Sequence, residues 1–135
     1  MGKKSWFLIF YVLLGMILTD QITSQLIKPL VGRDRPCKEI TLNDRVEPLV
    51  RCGSGKSFPS SHAANHFGIA LVLGLGLRRM VPWLIWGLLV WASLISICQV
   101  FVGVHYPSDV SVGALIGILV GTILGKWYVQ ADQYL

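Results

Sequence analysis

The sequence alternates between long apolar runs and short polar segments. Four apolar runs occupy positions 6–27, 63–77, 81–104 and 110–128. A helix needs about 20 apolar residues to cross a bilayer, and the second run reaches that length only if the polar residues before it form its first turn. The pattern predicts an all-α, polytopic transmembrane helix bundle with about four spans.

Composition agrees with this pattern. The chain has 135 residues, of which 53% are hydrophobic and 14% charged, whereas soluble proteins have about 25% charged residues. This length favours a single transmembrane domain over residues 1–135. A cleaved signal peptide would also explain the first run, but no clear small-x-small cleavage site follows it, so we expect a span.

The positions of Lys and Arg predict the orientation. The basic residues between and beside the runs fall on one side, which we expect to be cytoplasmic: Lys3, Lys4, Arg78, Arg79 and Lys126. The long segment 28–61 and the connection around His105 then form the extracytoplasmic side of an inner cell membrane. Seven basic residues in 28–61 weaken the charge argument, so they need a functional reason.

The three cysteines divide by position. Cys37 and Cys52 both lie in the proposed outer segment, where an oxidising compartment permits a disulfide. Two free thiols are the alternative, because sequence separation does not show that the side chains meet. Cys98 lies within the third run, where we expect it to pack among apolar neighbours.

The last run carries glycines at every fourth position, which form one smooth stripe on a helix. Small residues at this spacing allow close helix approach in lipid, either within one chain or between chains of an oligomer. The stripe consists of Gly113, Gly117, Gly121 and Gly125.

Polar residues at the end of the first run form a second pattern. Asp20, Ser24 and Lys28 are spaced by four and share one helix face. Ionisable groups in spans are costly and commonly functional, although the side chains of Asp20 and Lys28 can also reach interfacial water. Arg33 and Arg35 extend the positive charge. Together with Lys28 they suit phosphate oxygens better than a general anionic lipid surface.

The string "PSSH" lies at the start of the second run. Ser60 or Ser61 can cap a helix there, and a helix N-terminus also binds anions. His62 then stands beside that anion with a pKa range suited to proton transfer. The nearby "GSGKS" lacks the first glycine and the preceding strand of a P-loop, so we reject that motif.

A second histidine, His105, precedes Asp109 by four residues. Pro107 and Ser108 predict that the last helix begins here. A carboxylate bonded to one imidazole nitrogen fixes the tautomer and leaves the other nitrogen free to attack. If both polar connections share one membrane face, two histidines and several cations converge as nucleophile, acid and charge clamp for phosphoryl transfer.

These motifs, K-x6-RP, PSxH and H-x3-D in this order, resemble those of the type 2 phosphatidic acid phosphatase (PAP2) superfamily over about residues 15–125. The resemblance implies that Lys28, Arg35, Ser60 and the backbone at Ser61 bind phosphate. It also implies three catalytic roles. His62 would protonate the leaving group, His105 would form a phosphohistidine, and Asp109 would orient His105. Such an enzyme needs no metal and no cofactor.

Three departures from the family pattern stand out. Ser61 replaces the usual glycine of PSGH, and Gln99 replaces the arginine that commonly precedes the nucleophile by six residues. Loss of one donor to the transition state costs about 100- to 1,000-fold in comparable sites; Arg33 is a candidate to replace it. Family members commonly have six spans, and we expect four here, as in a minimal or truncated member.

The resemblance implies a metal-independent hydrolase of lipid phosphomonoesters or diphosphates. Candidate substrates are undecaprenyl diphosphate, phosphatidylglycerol phosphate, phosphatidate and lipid A, with no nucleic acid partner. The alternative is a weakened member that binds lipid phosphate or supports a partner. A zinc hydrolase using His62, His66, His105 and Asp109 is a third reading; otherwise Asn65 and His66 line the entrance or pack against the last helix.

Overall fold

The computed structural model describes residues 3–39 and 49–134, so residues 40–48 of the predicted outer segment lie outside the described chain. These two ranges contain helices and no strand, which confirms the all-α prediction. The helices are α1 (Lys3–Asp20), α2 (Lys28–Val31), α3 (Ser61–Gly76), α4 (Leu84–Phe101) and α5 (Pro107–Ala131). A π-helical stretch, Gln21–Ile27, joins α1 to α2, and Pro36–Lys38 form a short 3₁₀ turn.

Three helical segments of the described chain are long and apolar enough to cross a membrane: Ser5–Val31, Leu84–Phe101 and Pro107–Ala131. The helix α3 has 16 residues, which is about 24 Å at 1.5 Å per residue and less than the roughly 30 Å of a hydrocarbon core. It begins at Ser61, so the polar residues do form its first turn, as predicted. The chain is a multi-pass membrane protein in which α3 is the shortest of the four main helices.

The short helix α3 lies at the centre, against α5, α4 and α1. The glycine stripe of α5 faces it: a Cβ on Gly117 would lie 2.2 Å from the carbonyl oxygen of Ala64, and one on Gly121 would lie 2.5 Å from that of Gly68. Only glycine permits such close backbone approach. The stripe therefore packs within one chain, and association of two chains would need another surface.

The helices alternate in direction, which places the two connections that carry the predicted motifs at the same end of the bundle. We call this the loop end; its described residues are 32–39, 49–60 and 102–106. The basic residues Arg78 and Lys126 line one groove at the opposite end, and Arg79 lies beside Arg78. Arg78, Arg79 and Lys126 thus lie at the same end, as the sequence predicted for these three residues.

The first long helix extends further than predicted. It continues through Val31, four residues into the segment 28–61 that we expected to be a loop. Pro29 lacks an N–H and its ring conflicts with the carbonyl four residues earlier, and the π-helical stretch immediately before it accommodates this change in the hydrogen-bond ladder. Gly32, at a φ of 64°, ends the helix in the left-handed conformation that glycine adopts at little cost.

The buried interior changes character along the bundle. Away from the loop end it is apolar, with Leu8, Val72, Leu124 and Tyr128 in one cluster. Toward the loop end the fully buried side chains are largely polar: Thr19, Thr23, Ser57, Ser60, His105 and Asp109. Buried polar groups require partners, so this end holds a connected polar site.

One packing expectation was wrong. Cys98 is exposed on α4 instead of packed, because the buried Ser96 faces the bundle and two residues further along a helix point about 200° away. Asn65 Oδ1 accepts a hydrogen bond of 2.6 Å from the hydroxyl of Thr19 on α1.

Candidate phosphate site at the loop end

The segment that follows α2 is closed on itself by a disulfide and contacts the connection between α4 and α5. Cys37 and Cys52 are bonded, with their Cα atoms 6.0 Å apart, so the structure has the bridge and not the two free thiols. The backbone N–H of Cys37 donates to the carbonyl of Gly103, 3.1 Å away. The first motif is therefore held against the connection that carries His105.

Arg35 precedes this bridge and contacts the backbone that follows Cys52. Its Nε donates to the carbonyl of Gly55 at 3.0 Å, and a Cβ on Gly53 would be 3.4 Å from the guanidinium carbon. The side chain is half-buried, and this burial lowers the pKa of Arg35. The backbone of residues 53–55, which imitates a P-loop in sequence, instead packs around an arginine.

Lys28 projects from the start of α2 towards the start of α3. Its Nζ donates to the hydroxyl of Ser61 at 2.9 Å. The same hydroxyl lies 2.8 Å from Thr23 Oγ1 and 3.0 Å from Ser24 Oγ. The Ser24 hydroxyl also donates to Asp20 Oδ1 at 3.0 Å. The predicted polar face of the first helix is thus joined to the second motif through Ser61.

Ser60 ties the second motif to the third. It is the N-cap of α3, and its hydroxyl accepts a hydrogen bond from the N–H of Ala63 at 3.4 Å. Its own N–H donates to the carbonyl of Asp109 at 2.9 Å. The first turns of α3 and α5 consequently lie side by side, as α5 begins at the predicted Pro107.

Asp109 is fully buried and holds its neighbours through both carboxylate oxygens. Oδ2 lies 3.4 Å from Nδ1 of His105 and accepts the N–H of Tyr106 at 2.9 Å. Oδ1 accepts a hydrogen bond of 2.8 Å from Arg33, whose guanidinium also donates to Ser108 Oγ at 2.9 Å. The distance between His105 Nδ1 and Asp109 Oδ2 is longer than in an optimal hydrogen bond. The carboxylate therefore orients the imidazole ring through a contact at the upper limit of hydrogen-bond distance.

Burial and the charge of Arg35 lower the pKa of His105 to about 4, against the opposing effect of Asp109. His105 is therefore neutral near pH 7. A neutral imidazole with one nitrogen facing a carboxylate leaves the other nitrogen unprotonated, which is the form that acts as a nucleophile.

His62 lies in the first turn of α3 with an exposed side chain. The charges of Lys28 and Arg35 act electrostatically on the imidazoles of both His62 and His105. The loop end thus brings together the two histidines, the two cations, Ser60, Ser61 and Asp109. Within residues 3–39 and 49–134, no three His, Cys, Asp or Glu side chains are grouped to hold a metal.

Gln99 contributes through its backbone. Its carbonyl accepts hydrogen bonds from the N–H groups of Val104 and His105 at 3.3 and 3.2 Å. In the described part of the chain, no hydrogen bond links its side-chain amide to another residue. Arg33 is engaged with Asp109 and lies over the rings of Phe58 and Tyr106, with its guanidinium carbon 5.2 and 5.4 Å from their centroids.

The roles of Thr23 and Arg33 in this network were not predicted. Thr23 looks like an ordinary helical threonine, and its link to Ser61 crosses 38 residues of sequence. The sequence signal for Thr23 was its position next to Ser24, which belongs to the predicted polar helix face.

The fold and the loop-end cluster define a multi-pass helical membrane protein with a polar site built at helix starts. The sequence profile of the PAP2 superfamily matches residues 6–133, and the chain belongs to this superfamily. This confirms the resemblance seen in the three motifs.

Individual relatives are membrane lipid phosphatases. The chain is 39% identical over 108 residues to the lipid A 4'-phosphatase of Bacteroides thetaiotaomicron, covering 78% of this chain and 47% of the relative. It is 30% identical over 131 residues to the lipid A 4'-phosphatase of Porphyromonas gingivalis, covering 96% and 54%. The chain therefore spans about half the length of these relatives.

A solved structure has a similar fold. It is the crystal structure of a transmembrane PAP2-type phosphatidylglycerolphosphate phosphatase from Bacillus subtilis, with a TM-score of 0.65 and 26% sequence identity. The match covers 95% of this chain and 64% of that one.

Proposed function

We propose that this chain hydrolyses a phosphomonoester or diphosphate on a membrane lipid. The single observation that carries the proposal is the convergence at the loop end of Lys28, Arg35 and the His105–Asp109 pair. A phosphate here meets two cations and the start of α3, whose free N–H groups favour an anion. Its lipid tails remain in the bilayer beside the bundle.

The first chemical step is attack by His105. Asp109 holds the proton on Nδ1, so Nε2 carries the free electron pair. Nε2 forms a bond to phosphorus as the bond from phosphorus to the lipid oxygen breaks. His62 gives its proton to that departing oxygen, and Lys28 and Arg35 stabilise the negative charge on the phosphoryl oxygens.

The second step releases phosphate. A water molecule attacks the phosphohistidine, His62 takes the water proton, and the electron pair of the phosphorus–nitrogen bond returns to His105. Each residue ends in its starting protonation state. Only side chains of this chain take part in the scheme, and we propose no metal requirement.

We place the site on the extracytoplasmic face of the inner cell membrane. The Cys37–Cys52 disulfide supports this, because such bonds persist in oxidising compartments. The basic residues at the opposite end, including Arg78 and Lys126, support it through the positive-inside rule.

Lipid substrates of several kinds carry the required group: lipid A, phosphatidylglycerol phosphate, phosphatidate and undecaprenyl diphosphate. The relatives named for lipid A 4'-phosphate put lipid A first in an assay. The alternative function is that of a weakened member that binds lipid phosphate without efficient turnover. Gln99 motivates it, because its neutral side chain brings no positive charge to the transition state.

The decisive experiment measures phosphate release from these lipids by purified protein in detergent micelles. The variants are His105→Ala, Gln99→Arg and the matched control Gln99→Ala. The proposal expects turnover by the native chain that His105→Ala abolishes, and a gain with Gln99→Arg that Gln99→Ala does not show. Native turnover equal to that of His105→Ala, with no gain from Gln99→Arg, would favour the binding function.

A further inference from the structure

We propose that Asp20, Ser24 and Ser61 form a polar relay that fixes the ammonium group of Lys28 in the phosphate site. Asp20 is then a positioning residue for phosphate binding, although it precedes Lys28, the first residue of the first motif, by eight residues. The inference deepens the proposed function and rests on it.

The protons available to the hydroxyl groups set the direction of the relay. Thr23 Oγ1 lies 2.8 Å from both the carbonyl oxygen of Thr19 and Ser61 Oγ, and its single proton can be donated to either. Ser24 Oγ lies 3.0 Å from Asp20 Oδ1, and a carboxylate only accepts, so the single Ser24 proton points there. The Ser24 hydroxyl has no second proton for Ser61.

Ser61 must therefore donate its own proton to Ser24, at 3.0 Å. Its lone pairs remain for Lys28, which has protons to give and no acceptor, and which lies 2.9 Å away. Hydrogen bonds run from Lys28 through Ser61 and Ser24 to the carboxylate of Asp20. Every donor in this series of hydrogen bonds has an acceptor.

Charge gives the relay its purpose. Asp20 is half-buried in the first long helix, where an ionised carboxylate is costly unless it is paired. Its attraction acts on Lys28, as does that of Asp109, while Arg35 repels it. The relay transmits the Asp20 charge through two hydroxyl groups and holds Lys28 beside Arg35 against their mutual repulsion.

Ser61 stands where the motif of the family usually has glycine. Glycine offers no hydroxyl group, so this departure is what connects Asp20 to the phosphate site in this chain. The bulk of the serine is accommodated by small polar neighbours, and its hydroxyl is bonded on three sides.

The test measures binding of inorganic phosphate to the full chain in detergent micelles, alongside KM and kcat for a lipid phosphate. The variants are Asp20→Asn, Ser61→Ala and the double variant. Asp34→Asn is the matched control, because Asp34 is an exposed aspartate paired with Lys56 in the loop. We expect each single variant to weaken phosphate binding about tenfold, the scale of one hydrogen bond to a charged group.

The double variant distinguishes a relay from two independent effects. If Asp20 acts through Ser61, the double variant binds phosphate about as weakly as either single variant. KM rises in parallel with the dissociation constant for phosphate, while kcat at saturating lipid changes less. Asp34→Asn leaves phosphate affinity unchanged.

Three results would overturn the inference: additive losses in the double variant, unchanged binding in Asp20→Asn, or no phosphate binding by the native chain. Ser24→Ala interrupts the same relay without altering charge, so it serves as a second variant if Asp20→Asn fails to fold. Relay-dependent phosphate binding without native turnover would support the inference and reject the proposed hydrolysis. Turnover that is lost in His105→Ala but unchanged in Asp20→Asn would support the proposed hydrolysis and reject the inference.

Discussion

Arg33 and Asp109, separated by 76 residues of sequence, form a 2.8 Å ion pair at the loop end. The carboxylate is fully buried, while the arginine side chain is 41% exposed. Asp109 also faces His105, so Arg33 partly neutralises the carboxylate charge that acts on the imidazole. This pair links the first and third motifs and bears on the protonation of the proposed nucleophile.

Arg33→Gln should move the acid limb of the activity profile to higher pH. The pKa of His105 is about 4 in the native protein, so its imidazole stays neutral as pH falls from 7 to 5. Without Arg33, the full charge of Asp109 raises that pKa towards its ordinary value of 6.5. His105 then becomes protonated near pH 5 and cannot attack.

The measurement is kcat/KM between about pH 4.5 and 8. In the variant, a rise of about one pKa unit should lower activity at pH 4.5 relative to pH 7 to about one third of the native ratio. Lys56→Gln removes an exposed cation from the same loop and serves as the control. An acid limb that coincides in the native protein and Arg33→Gln would contradict the prediction.

Loss of the disulfide should weaken phosphate binding as well as stability. The double variant Cys37→Ser, Cys52→Ser removes the constraint next to residues 53–55, whose backbone contacts Arg35, and a bridge across 15 residues is worth about 3 kcal/mol in the chain-entropy description. Thermal unfolding and phosphate affinity should both decline. Cys98→Ser should change neither, because Cys98 is exposed and unpaired. Equal effects of Cys98→Ser and of the double variant would reject a specific role for the bridge.

The close contact between α3 and α5 should make Gly117 intolerant of a methyl group. A Cβ there would meet the Ala64 carbonyl oxygen at 2.2 Å, so Gly117→Ala must separate the helices, at a cost of about 1–3 kcal/mol or more. Gly87→Ala is the control, since nothing lies within 4 Å of its Cβ position. Thermal unfolding in detergent should show a lower Tm for Gly117→Ala and an unchanged or higher Tm for Gly87→Ala; a reversed order would contradict the packing.

His62→Ala should affect substrates according to their leaving group. A lipid alkoxide needs a proton as it departs, and general acid catalysis is worth about 100- to 10,000-fold. Nitrophenolate leaves without one, so nitrophenyl phosphate should lose far less activity in this variant. Equal losses on both substrates would mean that His62 does not serve as the acid.

Local pattern made much of the fold and the site predictable. The apolar runs identify the four main helices, Pro107 marks the start of α5, and the spacing of Asp20, Ser24 and Lys28 identifies a polar helix face. In each case the signal lies within one helix or one turn. The polar first turn of α3 could also be recognised, because the second run is otherwise too short for a span.

Contacts between distant segments were not predictable in the same way. Nothing in the local sequence pairs Arg33 with Asp109, or directs the hydroxyl of Thr23 to Ser61. The glycine stripe predicts close packing with another helix, but only the fold shows that this helix is α3 of the same chain. Cys98 was misjudged because the third run is apolar on all sides, so its sequence does not distinguish the lipid-facing surface from the buried one.

The central claim is that His105 becomes phosphorylated during turnover. The direct measurement is mass spectrometry of protein quenched in alkali within the first turnovers of nitrophenyl phosphate, which preserves a phosphoramidate bond. We predict one added phosphoryl group on the peptide containing His105, and none on the same peptide from His105→Ala. Turnover without phosphate on His105, or phosphate on His62 in its place, would contradict the account.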